Sequence, residues 1–242
     1  MAAYIFARER GRNVPKHIGI VAVSAEGAAL CYRTICAEGA ASLGPHAHPE
    51  VTMHTRPLSD YMRHIDAGRW DEVGAMLLDS GEKLRRAGAD FLICPDNTVH
   101  EGLDLVRDRS RLPWLHIAEE VACVAAARRF QRLLILGTTY LMEGPVYPAK
   151  LGAAGIAWEL PSADDRRQIN ATIFDDLVRG RFEAPARSFF ASVIAAGKRR
   201  GADAAVLGCT EIPLLVAEAD SPLPTLDSTR LLARAALREA TA

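Results

Sequence analysis

Gly88-Ala89-Asp90-Phe91-Leu92-Ile93-Cys94-Pro95-Asp96-Asn97-Thr98 has a second copy in this chain, Gly201-Ala202-Asp203-Ala204-Ala205-Val206-Leu207-Gly208-Cys209-Thr210-Glu211. Eight positions after each glycine stands a residue able to move a proton: Asp96 in one copy, Cys209 in the other. The two lie 209 − 96 = 113 residues apart, near half of the 242 in the chain. A duplicated fold predicts that the two groups face one substrate from opposite sides.

The match extends outward from that phrase. His17-Ile18-Gly19-Ile20-Val21-Ala22-Val23-Ser24 and Arg132-Leu133-Leu134-Ile135-Leu136-Gly137-Thr138-Thr139 each read as a buried strand breaking into a small polar loop. After each reactive position comes a proline-containing strand, Leu112-Pro113-Trp114-Leu115 and Leu223-Pro224-Thr225-Leu226. Four matches in order at nearly one offset argue for an internal repeat. Short apolar runs predict strands at 17–23, 50–54, 90–94, 113–117, 132–136, 156–159, 203–207 and 223–226. Helical periodicity predicts helices at 26–40, 68–87, 99–109, 118–128, 140–153, 163–179, 183–200 and 227–241. The alternation is that of an α/β fold with parallel sheets.

Two pseudo-symmetric lobes follow, each a parallel sheet flanked by helices. The first takes residues 1–111 plus 224–242 and the second 112–223. Ligands bind beyond the carboxyl ends of such strands. The loops at 24–27, 95–98, 138–140 and 208–211 are therefore expected in one cleft between the lobes.

Bulk composition narrows the class. Apolar residues make up 49% and charged residues 24%, as in ordinary globular proteins. A net charge of −1 argues against nucleic-acid or membrane surfaces built on bulk electrostatics. The charged start, with Arg8, Glu9, Arg10, Arg12 and Lys16, argues against a secretory signal. Five cysteines without metal-ligand spacing fit reduced thiols in a cytoplasmic protein. Cys31, Cys36 and Cys123 read as buried hydrophobes on helices.

Asp96 follows a buried strand, where an aspartate either caps the next helix or serves as a base. Thr98 can cap equally well, and Asn97 and Thr98 offer hydrogen bonds that suit a carboxylate. Cys209 closes a strand just before Thr210. A helix starting there would favour a thiolate, and an inert buried thiol is the plainer reading. Ser24, Thr138 and Thr139 extend a set of hydroxyls suited to an anion. Arg167, beside Arg166, either binds substrate or decorates a solvated face. His100 and His116 have no visible carboxylate partner and read as supporting groups. No phosphate-binding glycine loop is present, and no metal or nucleotide cofactor is expected.

Pro95-Asp96-Asn97-Thr98-Val99-His100, Leu136-Gly137-Thr138-Thr139-Tyr140-Leu141-Met142 and Gly208-Cys209-Thr210-Glu211-Ile212 resemble the motifs of the aspartate/glutamate/hydantoin racemase superfamily. The resemblance is nearest to its aspartate racemase branch and covers the chain from about His17 onward. It implies two α/β lobes, a homodimer, and racemisation without a cofactor by two cysteines flanking the α-carbon. Asp96 stands where the family has its first cysteine, a position that holds threonine in the branch specific for L-aspartate or L-glutamate. Tyr61 falls where aspartate racemases place an arginine for the substrate's side-chain carboxylate. Arg56 and Arg63 are nearby alternatives, and Arg166 or Arg167 falls near a basic family residue with a similar task.

The implied activity is a cofactor-independent amino-acid racemase for aspartate, glutamate or a related acidic substrate. Asp96 and Cys209 would be the acid/base pair. Ser24, Asn97, Thr98, Thr138, Thr139, Thr210 and Arg167 would bind the substrate. The proton affinities of the pair differ by about 4.6 units in free side chains, roughly 6 kcal/mol. Burial of Asp96 and a helix end at Cys209 would narrow that gap. Without narrowing, the site suits a one-way isomerase or a decarboxylase that protonates an enolate. A non-catalytic binder of small carboxylates is the reading outside enzymes.

Overall fold

Two four-stranded parallel sheets share one strand plan. The computed structural model describes residues 14–242, so the charged start at 1–13 lies outside the described residues. The first half contains β1 (Ile18–Ala22), α1 (Ala25–Leu43), β2 (Val51–Thr55), α2 (Leu58–Ile65), α3 (Trp70–Arg86), β3 (Phe91–Ile93), α4 (His100–Asp104) and β4 (Trp114–Leu115). The second half begins with α5 (Ile117–Ala127), β5 (Arg132–Leu136), α6 (Thr139–Glu143), α7 (Val146–Ala153) and β6 (Ala157–Glu159). It continues through α8 (Ala163–Asp175), α9 (Ala184–Arg200), β7 (Ala204–Leu207), α10 (Ile212–Leu215), β8 (Thr225–Asp227) and α11 (Ser228–Thr241). The sheet orders are β2-β1-β3-β4 and β6-β5-β7-β8. Every pairing is parallel, with Ile18 beside Phe91 in one sheet and Leu133 beside Ala204 in the other.

The two-lobed α/β fold matches the expectation, and the repeat explains how it is built. Each central strand is buried on both faces, as parallel sheets require. Ile18 and Ile20 point into one apolar layer and Val21 and Val23 into the other. Leu134 and Leu136 alternate with Leu133 and Ile135 in the same way. The shared Gly-Ala-Asp phrase proves to be a joint between helix and strand. α3 and α9 end in basic residues and then in Gly88 (φ 100°) and Gly201 (φ 99°), left-handed positions that favour glycine. Asp90 Oδ2 then accepts from His17 N at 2.7 Å, and Asp203 Oδ2 accepts from Gln131 N at 2.6 Å. Each aspartate thereby fastens the start of its lobe's central strand.

The lobe boundaries differ from those read in the sequence. β4 completes the first sheet and β8 the second, so the chain changes lobes after these strands, not at 112 and 224. α11 returns to the first lobe and packs against α1, with Leu232, Ala233 and Ala236 in the layer of Ile18, Ile20 and Cys31. The helix expected over 140–153 breaks at Gly144-Pro145 into α6 and α7. α2 and α10 were not anticipated. Cys31 is buried, Cys36 is half-buried, and Cys123 is exposed on α5, which corrects the reading of all three as buried. Among the described residues no helix is long and apolar enough to cross a membrane.

Candidate active site

The carboxyl ends of the central strands open onto one cleft between the lobes, the place where such folds bind small molecules. Ser24 follows β1, Asp96–Thr98 follow β3, Thr138 follows β5, and Gly208–Glu211 follow β7; all line the cleft. Two hydroxyl pairs join the lobes there. Ser24 Oγ lies 3.2 Å from Thr210 Oγ1, and Thr98 Oγ1 lies 3.2 Å from Thr138 Oγ1. Ser24 and Thr138 also cap α1 and α6, accepting from Gly27 N and Leu141 N. Gly27 must stay small, because a Cβ there would stand 2.6 Å from Thr210 Cγ2 and 2.8 Å from Pro95 O.

Asp96 is half-buried in the first lobe's share of the cleft. Its Oδ1 accepts from Val99 N at 3.3 Å, so it both closes the turn that precedes α4 and faces the cleft. Burial, reinforced by the charge of Glu211, pushes its carboxyl up to about 6. Its main chain is held by His100, whose Nδ1 donates to Asp96 O at 2.7 Å while Nε2 accepts from Ile117 N at 3.3 Å. Burial holds His100 in the neutral form, which that arrangement requires. The His100 ring meets His116 edge-on at 4.4 Å. His116 Nε2 faces Asp104 Oδ1 at 3.4 Å, the carboxylate partner that sequence spacing does not reveal.

Cys209 stands in a different setting from the one expected. The following helix begins only at Ile212 and is four residues long. The Cys209 thiol instead donates to Glu211 Oε2 at 2.9 Å, and Thr210 Oγ1 donates to the same oxygen at 2.8 Å. Burial, with the adjacent Glu211 carboxylate, pushes the thiol well above its ordinary range. Glu211 is itself 3% exposed and has a direct contact with the reactive group. Sequence reasoning treated it only as a polar neighbour of Cys209.

Two expected substrate ligands lie elsewhere, and a third is engaged in other bonds. Arg167 is exposed on α8 and pairs with Asp164 one turn back. Thr139 falls outside the cleft lining, and its N–H donates to Asn170 Oδ1 at 2.9 Å. Asn97 borders the cleft, but its amide is committed at both ends. Tyr147 Oη donates to Asn97 Oδ1 at 2.8 Å, and Asn97 Nδ2 donates to Ser228 Oγ at 3.0 Å. Ser228 Oγ donates onward to Leu207 O at 3.0 Å, tying the reactive loops of both lobes together. Tyr147→Phe is expected to cost about 1–3 kcal/mol by stranding Asn97 Oδ1 in the interior, read as a lower urea midpoint. An unchanged midpoint would show that this chain of bonds carries no stability.

The alternative arginines are also committed. Arg56 pairs with Asp79, Arg63 with Asp60, and Arg166 Nε with Glu143 at 3.1 Å. Tyr61 is fully buried in the core beneath α2 and does not line the cleft. Among the described residues no group of three His, Cys, Asp or Glu side chains is placed to hold a metal ion.

The Asp/Glu/hydantoin racemase family model matches residues 18–236. A broad specificity amino-acid racemase of Bacillus subtilis, RacX, is 23% identical over 188 residues, covering 77% of this chain and 80% of that protein. A crystal structure from Yersinia pestis, assigned to the Asp/Glu racemases, superposes with a TM-score of 0.86 at 28% identity, covering 94% of this chain and all of that one. The Picrophilus torridus aspartate racemase superposes at 0.74 with 21% identity, covering 93% of this chain and 94% of that one.

Proposed function

The chain belongs to the Asp/Glu/hydantoin racemase family, and from that premise we propose that it is a cofactor-independent amino-acid racemase acting by α-proton transfer between Asp96 and Cys209. The observation that carries the reading is the position of these two groups at the ends of equivalent strands, one in each lobe, on one cleft. A substrate bound between them would expose one face of its α-carbon to each. The name of the Bacillus subtilis relative supports amino acids as the substrate class.

In one direction ionised Asp96 removes the α-proton, leaving the electron pair on carbon and the adjoining carboxylate. The Cys209 thiol then delivers its proton to the opposite face. The hydroxyls of Ser24, Thr98 and Thr138 and nearby N–H groups suit the growing enediolate charge, where preorganised donors act most strongly. In the other direction Cys209 must first lose its proton. Glu211 Oε2, already accepting from the thiol at 2.9 Å, offers a receiver. Burial raises Asp96 as expected, but Cys209 is raised too, so the affinity gap is not closed from the thiol side. That specific asymmetry favours, as a second reading, one-way chemistry with Asp96 as base and Cys209 as acid.

Hydrogen exchange at the α-carbon in deuterated water, followed separately from L- and D-amino acids, tests the proposal. Exchange with inversion from both enantiomers supports the racemase. Loss of carbon dioxide from a 2-substituted malonate, without amino-acid exchange, would replace it with decarboxylation. Binding with no exchange and no decarboxylation would leave a carboxylate-binding protein.

The pH profile follows from Asp96. A base must be ionised, so kcat/KM for the enantiomer it deprotonates is expected to rise as pH climbs through about 6 and then level off. An acidic limb centred above about pH 8 would assign proton abstraction on that face to another group.

A further inference from the structure

The cleft is lined by two chemically distinct sets of residues, polar groups at the strand ends and apolar side chains contributed by two helices. α2 carries Leu58, Met62 and Ile65 at helical spacing, so one face of that helix lines the cleft while Asp60 and Arg63 pair with each other elsewhere on it. From the other lobe come Ile173 and Phe174 of α8 and Val178 just beyond it. Among the described residues that line the cleft there is no arginine, lysine or histidine. The arginines Arg56, Arg63, Arg166 and Arg167, on or just before these two helices, already hold carboxylates of their own. The titratable groups that do line the cleft, apart from the thiol and Tyr140, are Asp96 and Glu211, both acidic.

We infer that the substrate carries an apolar 2-substituent, aliphatic or aromatic, seated between α2 and α8, and not a second carboxylate. The inference rests on the reading of Asp96 and Cys209 as partners at one α-carbon, which fixes where the substituent must lie. A side-chain carboxylate against this wall would lose its water without gaining a cation, beside two acidic groups. An apolar group gains from the same burial. The small polar donors of Ser24, Thr98 and Thr138 remain for the single α-carboxylate. Tyr140 Oη donates to Asp66 Oδ1 at 2.6 Å, linking α6 to the residue after α2 and holding the apolar wall against the second lobe.

Two readouts on the full chain test this. The first is α-hydrogen exchange in deuterated water with alanine, leucine, methionine, phenylalanine, aspartate and glutamate, each as L- and D-forms. The preferred apolar substrate is expected to exceed both acids by at least about tenfold in kcat/KM. Phe174→Arg is expected to shift that ratio toward the acids by at least about tenfold. The second readout needs no turnover: the rise in melting temperature given by 3-phenylpropionate compared with glutarate. A larger rise with 3-phenylpropionate supports the apolar seat even if no amino acid exchanges, in which case only the racemase reading falls. Exchange favouring aspartate or glutamate overturns the inference and leaves the proton-transfer reading standing. Equal rates across the panel, or no rise with either ligand and no exchange, also overturn it.

Discussion

Cys209→Ser is expected to abolish turnover and leave the fold intact. The substitution is nearly isosteric, and a serine hydroxyl can still donate to Glu211 Oε2, where the thiol now donates at 2.9 Å. What is lost is a group far more acidic than a hydroxyl, able to give a proton to the α-carbon and take one back. A thiol titrates about 8.5 when free, and a hydroxyl lies far above it. The loss in kcat should be on the order of 10²–10⁴, the contribution usual for a positioned acid or base. The check is α-hydrogen exchange from both enantiomers, alongside a thermal melt to establish folding. Activity above about a tenth of the parent enzyme would remove Cys209 from the chemistry, because one decade is only about 1.4 kcal/mol.

Asp96→Asn should separate the two faces of the substrate. Asparagine keeps an acceptor for Val99 N, so the turn before α4 survives. It has no basicity, and exchange of the enantiomer whose α-hydrogen faces position 96 should fall by about 10²–10⁴. Exchange of the opposite enantiomer, begun by Cys209, should survive in part. Unchanged exchange of both would leave Asp96 as a turn-closing residue only and end the two-sided mechanism. The same variant has a stability signature of defined sign. Because burial raises the carboxyl from 3.8 to about 6, the folded state holds that proton more tightly than the unfolded chain. The contribution of Asp96 is therefore greatest at low pH and declines as pH rises through that interval. Asparagine should flatten this part of the stability profile in urea titrations at several pH values.

Much of the fold was written in patterns of two and 3.6 residues. All eight strands among the described residues fall where the sequence places them, the central ones because their apolar runs must be covered on both faces, while β2 and β6 stay partly exposed. Helices α1, α3, α9 and α11 are long enough to show their periodicity. α2 and α10, of eight and four residues, are too brief for that signal. Lobe membership of β4 and β8 depends on which neighbour each strand meets, and local sequence does not encode this. In the site, Asp96 and Cys209 were legible through the repeat, and the loops carrying Ser24, Thr98, Thr138 and Thr210 through the rule for strand ends. The buried contact between Glu211 and the thiol was not, since a carboxylate beside a cysteine normally reads as solvated. Arg167 illustrates the reverse limit: sequence places it near the right segment, but the direction of a side chain on α8 decides that it faces Asp164 and solvent.

The return of α11 to the first lobe has a bearing on biosynthesis. Leu232, Ala233, Ala236, Leu237 and Ala240 cover the same face of the sheet that Ile18, Ile20, Phe91 and Ile93 build. The strands of that sheet have all been synthesised by residue 116, but its covering helix starts 228 − 116 = 112 residues later. At roughly 5–20 residues per second the wait is about 6–22 s. Through that interval the part of the face that α1 leaves uncovered stands open to chaperones and to other nascent chains, and a polypeptide released after residue 227 would keep that part exposed.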